Sequence, residues 1–155
     1  KVLDDISFGF ITIHGQGGRE MIKKAQQAAN EIKSKPKLMM VTILTSLNDK
    51  DLISMGNNST VLHQVESLAT IAKEMNIGVV CSGYEAKNVR KVIGPELLIF
   101  TPGIRMKDDS SNDQQRVCTP SESLKNGSDK IVMGRSLTKG NIEKNINRVL
   151  NSIKI

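Results

Sequence analysis

Five short apolar runs punctuate the chain: FITIH at 10–14, LMMVTIL at 38–44, GVVCS at 78–82, LLIFT at 97–101 and KIVMG at 130–134. They are nearly continuous in apolar side chains rather than alternating. That is the pattern of strands buried on both faces, as in parallel sheets. Between them the apolar spacing changes to three and four. Residues 18–33 place Met21, Ile22, Ala25, Ala28, Ala29 and Ile32 on one helical face, and residues 61–75 do the same with Val61, Val65, Leu68, Ile71, Ala72 and Met75. Ser82 with Glu85, and Thr119 with Glu122 after Pro120, fit the capping box that opens a helix. A last helix over 141–153 turns Ile142, Ile146, Val149, Leu150 and Ile153 inward.

The order is therefore β-α, five times over, in a single domain spanning 1–155 with no linker or low-complexity tract. Two α/β architectures follow. Five units can wind into a flavodoxin-like open parallel sheet with helices on both faces. They can equally be five units of a (β/α)8 TIM barrel, a fold that typically takes ~250 residues, which would make this an incomplete barrel.

Composition narrows the function classes. The chain of 155 residues is 38% hydrophobic with no Trp, one Tyr and three Phe, so aliphatic side chains fill the core, with the methionines as filler. The net charge of +6 comes from scattered lysines without interleaved aromatics, which argues against a nucleic-acid surface. Cys81 and Cys118 form no CxxC pair and no zinc pattern, as expected of free thiols in a reducing cytoplasm. No apolar run approaches the ~20 residues that span a membrane, and no secretory leader is read at the start.

In either architecture ligands bind at the carboxyl ends of the strands. Those ends carry His14-Gly15-Gln16-Gly17-Gly18, Thr45-Ser46-Leu47, Ser82-Gly83, Pro102-Gly103-Ile104-Arg105 and Gly134-Arg135-Ser136. The polar stretch 106–117 exceeds the two to six residues usual in a βα connection, as binding loops and lids do. Gly134-Arg135 joins a backbone amide that an oxyanion can approach to a bidentate guanidinium, and Arg105 offers a second. The Gly-rich 15–18 turn is not a complete dinucleotide fingerprint. His14 reads as strand-end packing, and His63 as an incidental surface residue.

Taken together, FITIHGQGG, PKLMMVTILTSL, GVVCSGYEA, GPELLIFTPGIR, DQQRVCTPSES and IVMGRSL resemble, in order, the orotidine 5'-phosphate decarboxylase family. The spacing of TPGIR, DQQR and GR is the most specific part of the likeness. The resemblance implies a TIM barrel working as a homodimer, with neither metal nor organic cofactor, that converts orotidine 5'-phosphate to UMP and CO2 in pyrimidine biosynthesis. It also implies roles: Arg105, Arg135 and the Gly134 amide hold the 5'-phosphate. Gln114 bridges phosphate and pyrimidine from a closing loop, Pro102 lines the base pocket, and Thr45 touches the base or the neighbouring subunit's site.

The likeness has a gap. The family's Asp-x-Lys-x-x-Asp motif, whose lysine protonates the carbanion, is not found in these 155 residues. The opening KVLDDISFGF is similar to the tail of the helix after the family's third strand, so Lys1, Asp4 and Asp5 are not candidates. Ser136 stands where the family usually has proline. The chain thus resembles the carboxyl-terminal five βα units. No catalytic residue is assigned, and negligible activity is expected of the chain alone. A complementing amino-terminal chain, or self-association into a homo-oligomer, would complete it. The alternatives are a catalytically dead half-barrel that binds UMP and a structural remnant.

Overall fold

The computed structural model describes residues 6–109 and 116–153. Its elements are β1 (Phe10–His14), a single 3-10 turn at Gly15–Gly17, α1 (Gly18–Glu31), β2 (Lys37–Val41), α2 (Asp49–Ser54), α3 (Val61–Glu74) and β3 (Gly78–Val80). There follow α4 (Ala86–Ile93), β4 (Ile99–Thr101), α5 (Pro120–Lys125), β5 (Lys130–Ile131), α6 (Arg135–Thr138) and α7 (Ile142–Ser152). All strands pair in parallel in one sheet, in the order β1-β2-β3-β4-β5.

That order decides between the two architectures. A flavodoxin-like sheet reverses direction once, and its ligand sits at the reversal. Here there is no reversal. Right-handed crossovers that all step the same way lay their helices on one face of the sheet. The fold is an incomplete (β/α)8 barrel.

Register shows which residues meet the helices. Ile13, Met40, Val79 and Ile99 form one row across four strands. They pack into the core with Ile22 of α1, Val65 and Ala69 of α3, and Val89 of α4. Among the described residues the core holds aliphatic side chains with Met40 and Cys81 and no aromatic ring, as expected of a chain so poor in aromatics. The neighbouring row, His14, Val41, Val80, Phe100 and Lys130, faces the opposite side. On that side Phe10 meets Phe100 edge-on, with ring centroids 4.9 Å apart. Strands β1 and β4 are three spacings apart, about 14 Å in a flat sheet. Rings this close require the sheet to curl, as a barrel wall does.

The observed elements differ from the expected ones in several places. β2, β3 and β5 stop short of the carboxyl ends of their apolar runs, where Ile43, Leu44, Cys81 and Val132 line a cavity instead, and β4 begins two residues into its run. The helix α2 has no counterpart among the expected elements. It is nucleated by a capping box in which Asn48 Oδ1 accepts from the amides of Lys50 (2.8 Å) and Asp51 (3.1 Å), while Asp51 Oδ2 accepts from the Asn48 amide (2.8 Å). The Thr119 box does form as expected, with Pro120 opening α5. The Ser82 motif does not cap α4 directly. Its hydroxyl accepts from the Tyr84 amide (3.2 Å) and its own amide donates to Glu85 (2.9 Å), so the motif shapes the turn before the helix. In α1, Met21 and Ala28 are exposed rather than inward. In α7 only Val149 is buried, while Ile142, Ile146 and Leu150 are 54%, 42% and 49% exposed. This helix lies at the end of the arc against α5 and α6, and no described element covers the rest of its apolar stripe.

Candidate functional site

The carboxyl ends of β2 to β5 surround a cavity of about 360 Å³. Thr45, Pro102, Arg105, Gly134 and Arg135 all line it, together with an apolar wall that includes Ile43, Val80 and Val132. Five of the six residues expected at a site are thus brought together. The sixth, Gln114, lies outside the described residues, as do Lys1, Asp4 and Asp5. A second recess of about 270 Å³ shares Arg105 and Arg135 and adds Lys139, Arg148 and Asp109. A larger recess of about 450 Å³ lies among Lys37, Gly78 and Leu98, at the amino ends of the strands. In parallel α/β folds that end serves stability rather than ligands, so the smaller cavity is the candidate site.

Local structure explains each placement. β4 ends at Thr101, whose hydroxyl is buried between those of Ser123 (2.7 Å) and Ser128 (2.8 Å). Pro102 and Gly103 then turn the chain, with Gly103 at φ 73°, a conformation open to glycine at little cost. Ile104 makes a parallel bridge with Cys118, the Arg105 amide donates to the Cys118 carbonyl (3.0 Å), and the Cys118 amide donates to the Gly103 carbonyl (3.4 Å). Arg105 is held as firmly as a strand residue, although it follows the strand.

The Arg105 side chain is only 6% exposed. One guanidinium nitrogen donates to the Ile104 carbonyl (2.8 Å), and its Nε is buried with no hydrogen-bond partner. A guanidinium has five donors and always carries charge, so burying one with a donor unused is costly. An anion in the cavity would satisfy it. Arg135 opens α6 on the far wall and is exposed. A Cβ built on Gly134 meets no atom within 4 Å, so the backbone there can be approached closely. The recess beyond holds two more cations, and Arg148 is paired with Asp109 (3.1 Å) and Asp108. The site therefore has an apolar compartment and a cationic one, with Arg105 on the border.

His14 is exposed at the end of β1 and does not line this cavity, so it is neither the packed residue expected there nor part of the site. His63 is exposed on α3, as expected. Cys81 lines the cavity, but burial pushes its thiol far up, so it stays neutral. The thiol of Cys118 is pushed up to about 11 by burial and by the Glu122 carboxylate.

Two residues to which the sequence assigned no role in the site shape it. Arg116 ends the long loop, and its guanidinium pairs with Glu85 and donates to the carbonyls of Ile43 (3.1 Å) and Leu44 (2.7 Å). Its amide donates to the Thr45 carbonyl (3.2 Å). DQQR and SGYEA contained both residues, but nothing in the sequence pairs positions 31 apart.

A family model described as orotidine 5'-phosphate decarboxylase / HUMPS family matches residues 5–146. The chain belongs to that family. Curated orotidine 5'-phosphate decarboxylases are similar along most of it. That of Saccharophagus degradans is 38% identical over 89% of this chain and 58% of its own length. That of Neisseria meningitidis serogroup A is 38% identical over 97% of this chain and 64% of its own length. The chain thus spans about three-fifths of the curated relatives it matches. The crystal structure of orotidine 5'-phosphate decarboxylase from Lactobacillus acidophilus superimposes with a TM-score of 0.80 at 32% identity, over 99% of this chain and 66% of that one.

Proposed function

We propose that this chain supplies the nucleotide-gripping part of an orotidine 5'-phosphate decarboxylase, a carbon–carbon lyase of pyrimidine biosynthesis acting in the cytoplasm. The observation that carries the reading is the buried Arg105 with its unused Nε, facing one cavity with Thr45, Pro102, Gly134 and Arg135. In this reading the 5'-phosphate accepts from Arg105, Arg135 and the Gly134 amide. The pyrimidine ring lies against Pro102 and the apolar wall, and Thr45 sits at its edge. Gln114 reaches from the loop to both ends of the ligand.

In the reaction the bond between the pyrimidine and its carboxylate breaks, CO2 leaves with no electron pair, and the ring carbon keeps the pair until it takes a proton. Gripping the phosphate, far from the breaking bond, provides binding energy that can be used to orient and desolvate the reacting end. The proton donor and the crowding carboxylate belong to the Asp-x-Lys-x-x-Asp motif, which these 155 residues do not contain. The chain alone accordingly grips nucleotide without turnover, and further βα units, or a second chain supplying them, complete the enzyme. The reading needs neither metal nor organic cofactor.

Calorimetric titration with UMP tests this. Binding to the unsubstituted chain is expected, together with its loss in the Arg105→Ala/Arg135→Ala double variant and no release of CO2 from orotidine 5'-phosphate. Equal UMP affinity in the double variant would sink the phosphate assignment. Substantial turnover by the 155-residue chain would sink the division of labour.

A further inference from the structure

The segment 116–118 joins two parts of the site that come from different strands. At one end the Arg116 amide holds the carbonyl of Thr45, beyond β2. At the other the Cys118 carbonyl holds the amide of Arg105, beyond β4. Three residues of chain therefore set the separation between the base-lining and phosphate-holding halves. What fixes this strap is the side chain of Arg116. Its fork spans the carbonyls of Ile43 (3.1 Å) and Leu44 (2.7 Å) and the carboxylate of Glu85, and the two charged side chains are 15% and 7% exposed. Glu85 is itself anchored by the Ser82 amide (2.9 Å), at the end of β3. One ion pair thus locks together the ends of three strands.

A buried ion pair contributes little net stability, because desolvation offsets most of the attraction. Its directional bonds do fix geometry, and a planar guanidinium holds several acceptors at once where an ammonium cannot. We infer that Glu85 and Arg116 are positioning residues that set the span of the nucleotide site, touching no ligand atom themselves. This rests on the nucleotide reading above and adds a role for two residues that reading does not use.

The test compares two probes, UMP and inorganic phosphate, on the 155-residue chain and its Glu85→Gln and Arg116→Lys variants, with folding followed by circular dichroism. A glutamine side chain keeps one oxygen that can accept from the Ser82 amide, while its NH2 replaces the oxygen that accepts from Arg116, so Glu85→Gln keeps the anchor to β3 and breaks the tie to Arg116. Phosphate needs only the arginine end, whereas UMP needs both ends at the right separation. Each variant is expected to stay folded and to weaken UMP about tenfold or more while leaving phosphate within about twofold, since loss of one well-placed charged hydrogen bond is about 1.5–3 kcal/mol and tenfold is about 1.4. Parallel weakening of both probes, unchanged UMP affinity, or failure of Glu85→Gln to fold would each overturn the positioning role. If the unsubstituted chain binds phosphate but not UMP, the nucleotide reading itself is wrong and this inference goes with it.

Discussion

At the scale of single residues, Arg105 and Gly103 are the informative pair. They are two positions apart yet answer to different forces. Arg105 is buried with an unused donor. Replacing it with Ala removes a charge-assisted contact to an anion, and UMP affinity is expected to fall by about 2 kcal/mol, roughly thirtyfold in Kd, in a direct titration. Gly103 is held at φ 73°. Gly103→Ala forces a Cβ into the left-handed region and is expected to cost about 1–2 kcal/mol, read as a lower denaturation midpoint. The two thiols are expected to be inert: burial keeps both protonated, Cys118 up to about 11, so a thiol reagent at neutral pH should modify the native chain far more slowly than the unfolded one. TPGIR marks where a strand stops and an arginine follows, because an apolar run followed by Pro-Gly is a legible signal. The burial of that arginine was not legible, since it depends on Cys118 and the loop folding over it.

Among the elements, α5 shows how a cap couples to pH. Glu122 accepts from the Thr119 hydroxyl and amide, and chiefly the first of these holds its carboxyl below the usual 4.5. A carboxyl depressed in the folded state stabilises fully above its unfolded value, and that contribution is lost as pH falls through the folded value. Thr119→Ala should therefore cost about 1 kcal/mol at neutral pH and less under acid conditions. Denaturation midpoints of both proteins across the acid range would show a gap that narrows as pH drops; a constant gap would contradict the coupling. The existence of five strands and of the main helices was readable from apolar spacing. Strand ends were not: Ile43, Leu44 and Val132 continue the apolar runs but line a cavity instead of extending a ladder. The apolar stripe of α7 is inward only at Val149, because periodicity identifies a face and cannot say whether anything covers it.

For the whole molecule, the uncovered surfaces matter most. Among the described residues, β1 pairs only with β2 and β5 only with β4, so each has an outer edge of ladder groups. Phe10, Val132, Ile142, Ile146 and Leu150 expose apolar area nearby and along α7. Open parallel edges and apolar stripes favour association. Sedimentation velocity is expected to show concentration-dependent self-association that Ile146→Lys with Leu150→Lys reduces; a monomer at every concentration would contradict this. The strand order carries a consequence of another kind. Every ladder joins strands adjacent in sequence, and the widest gap bridged by a register pair is that from Met39 to Gly78. Each ladder closes between neighbouring βα units, so pairing can spread from one unit to the next along the chain without first joining its two ends. The units can therefore take shape one βα closure after another as the chain leaves the ribosome.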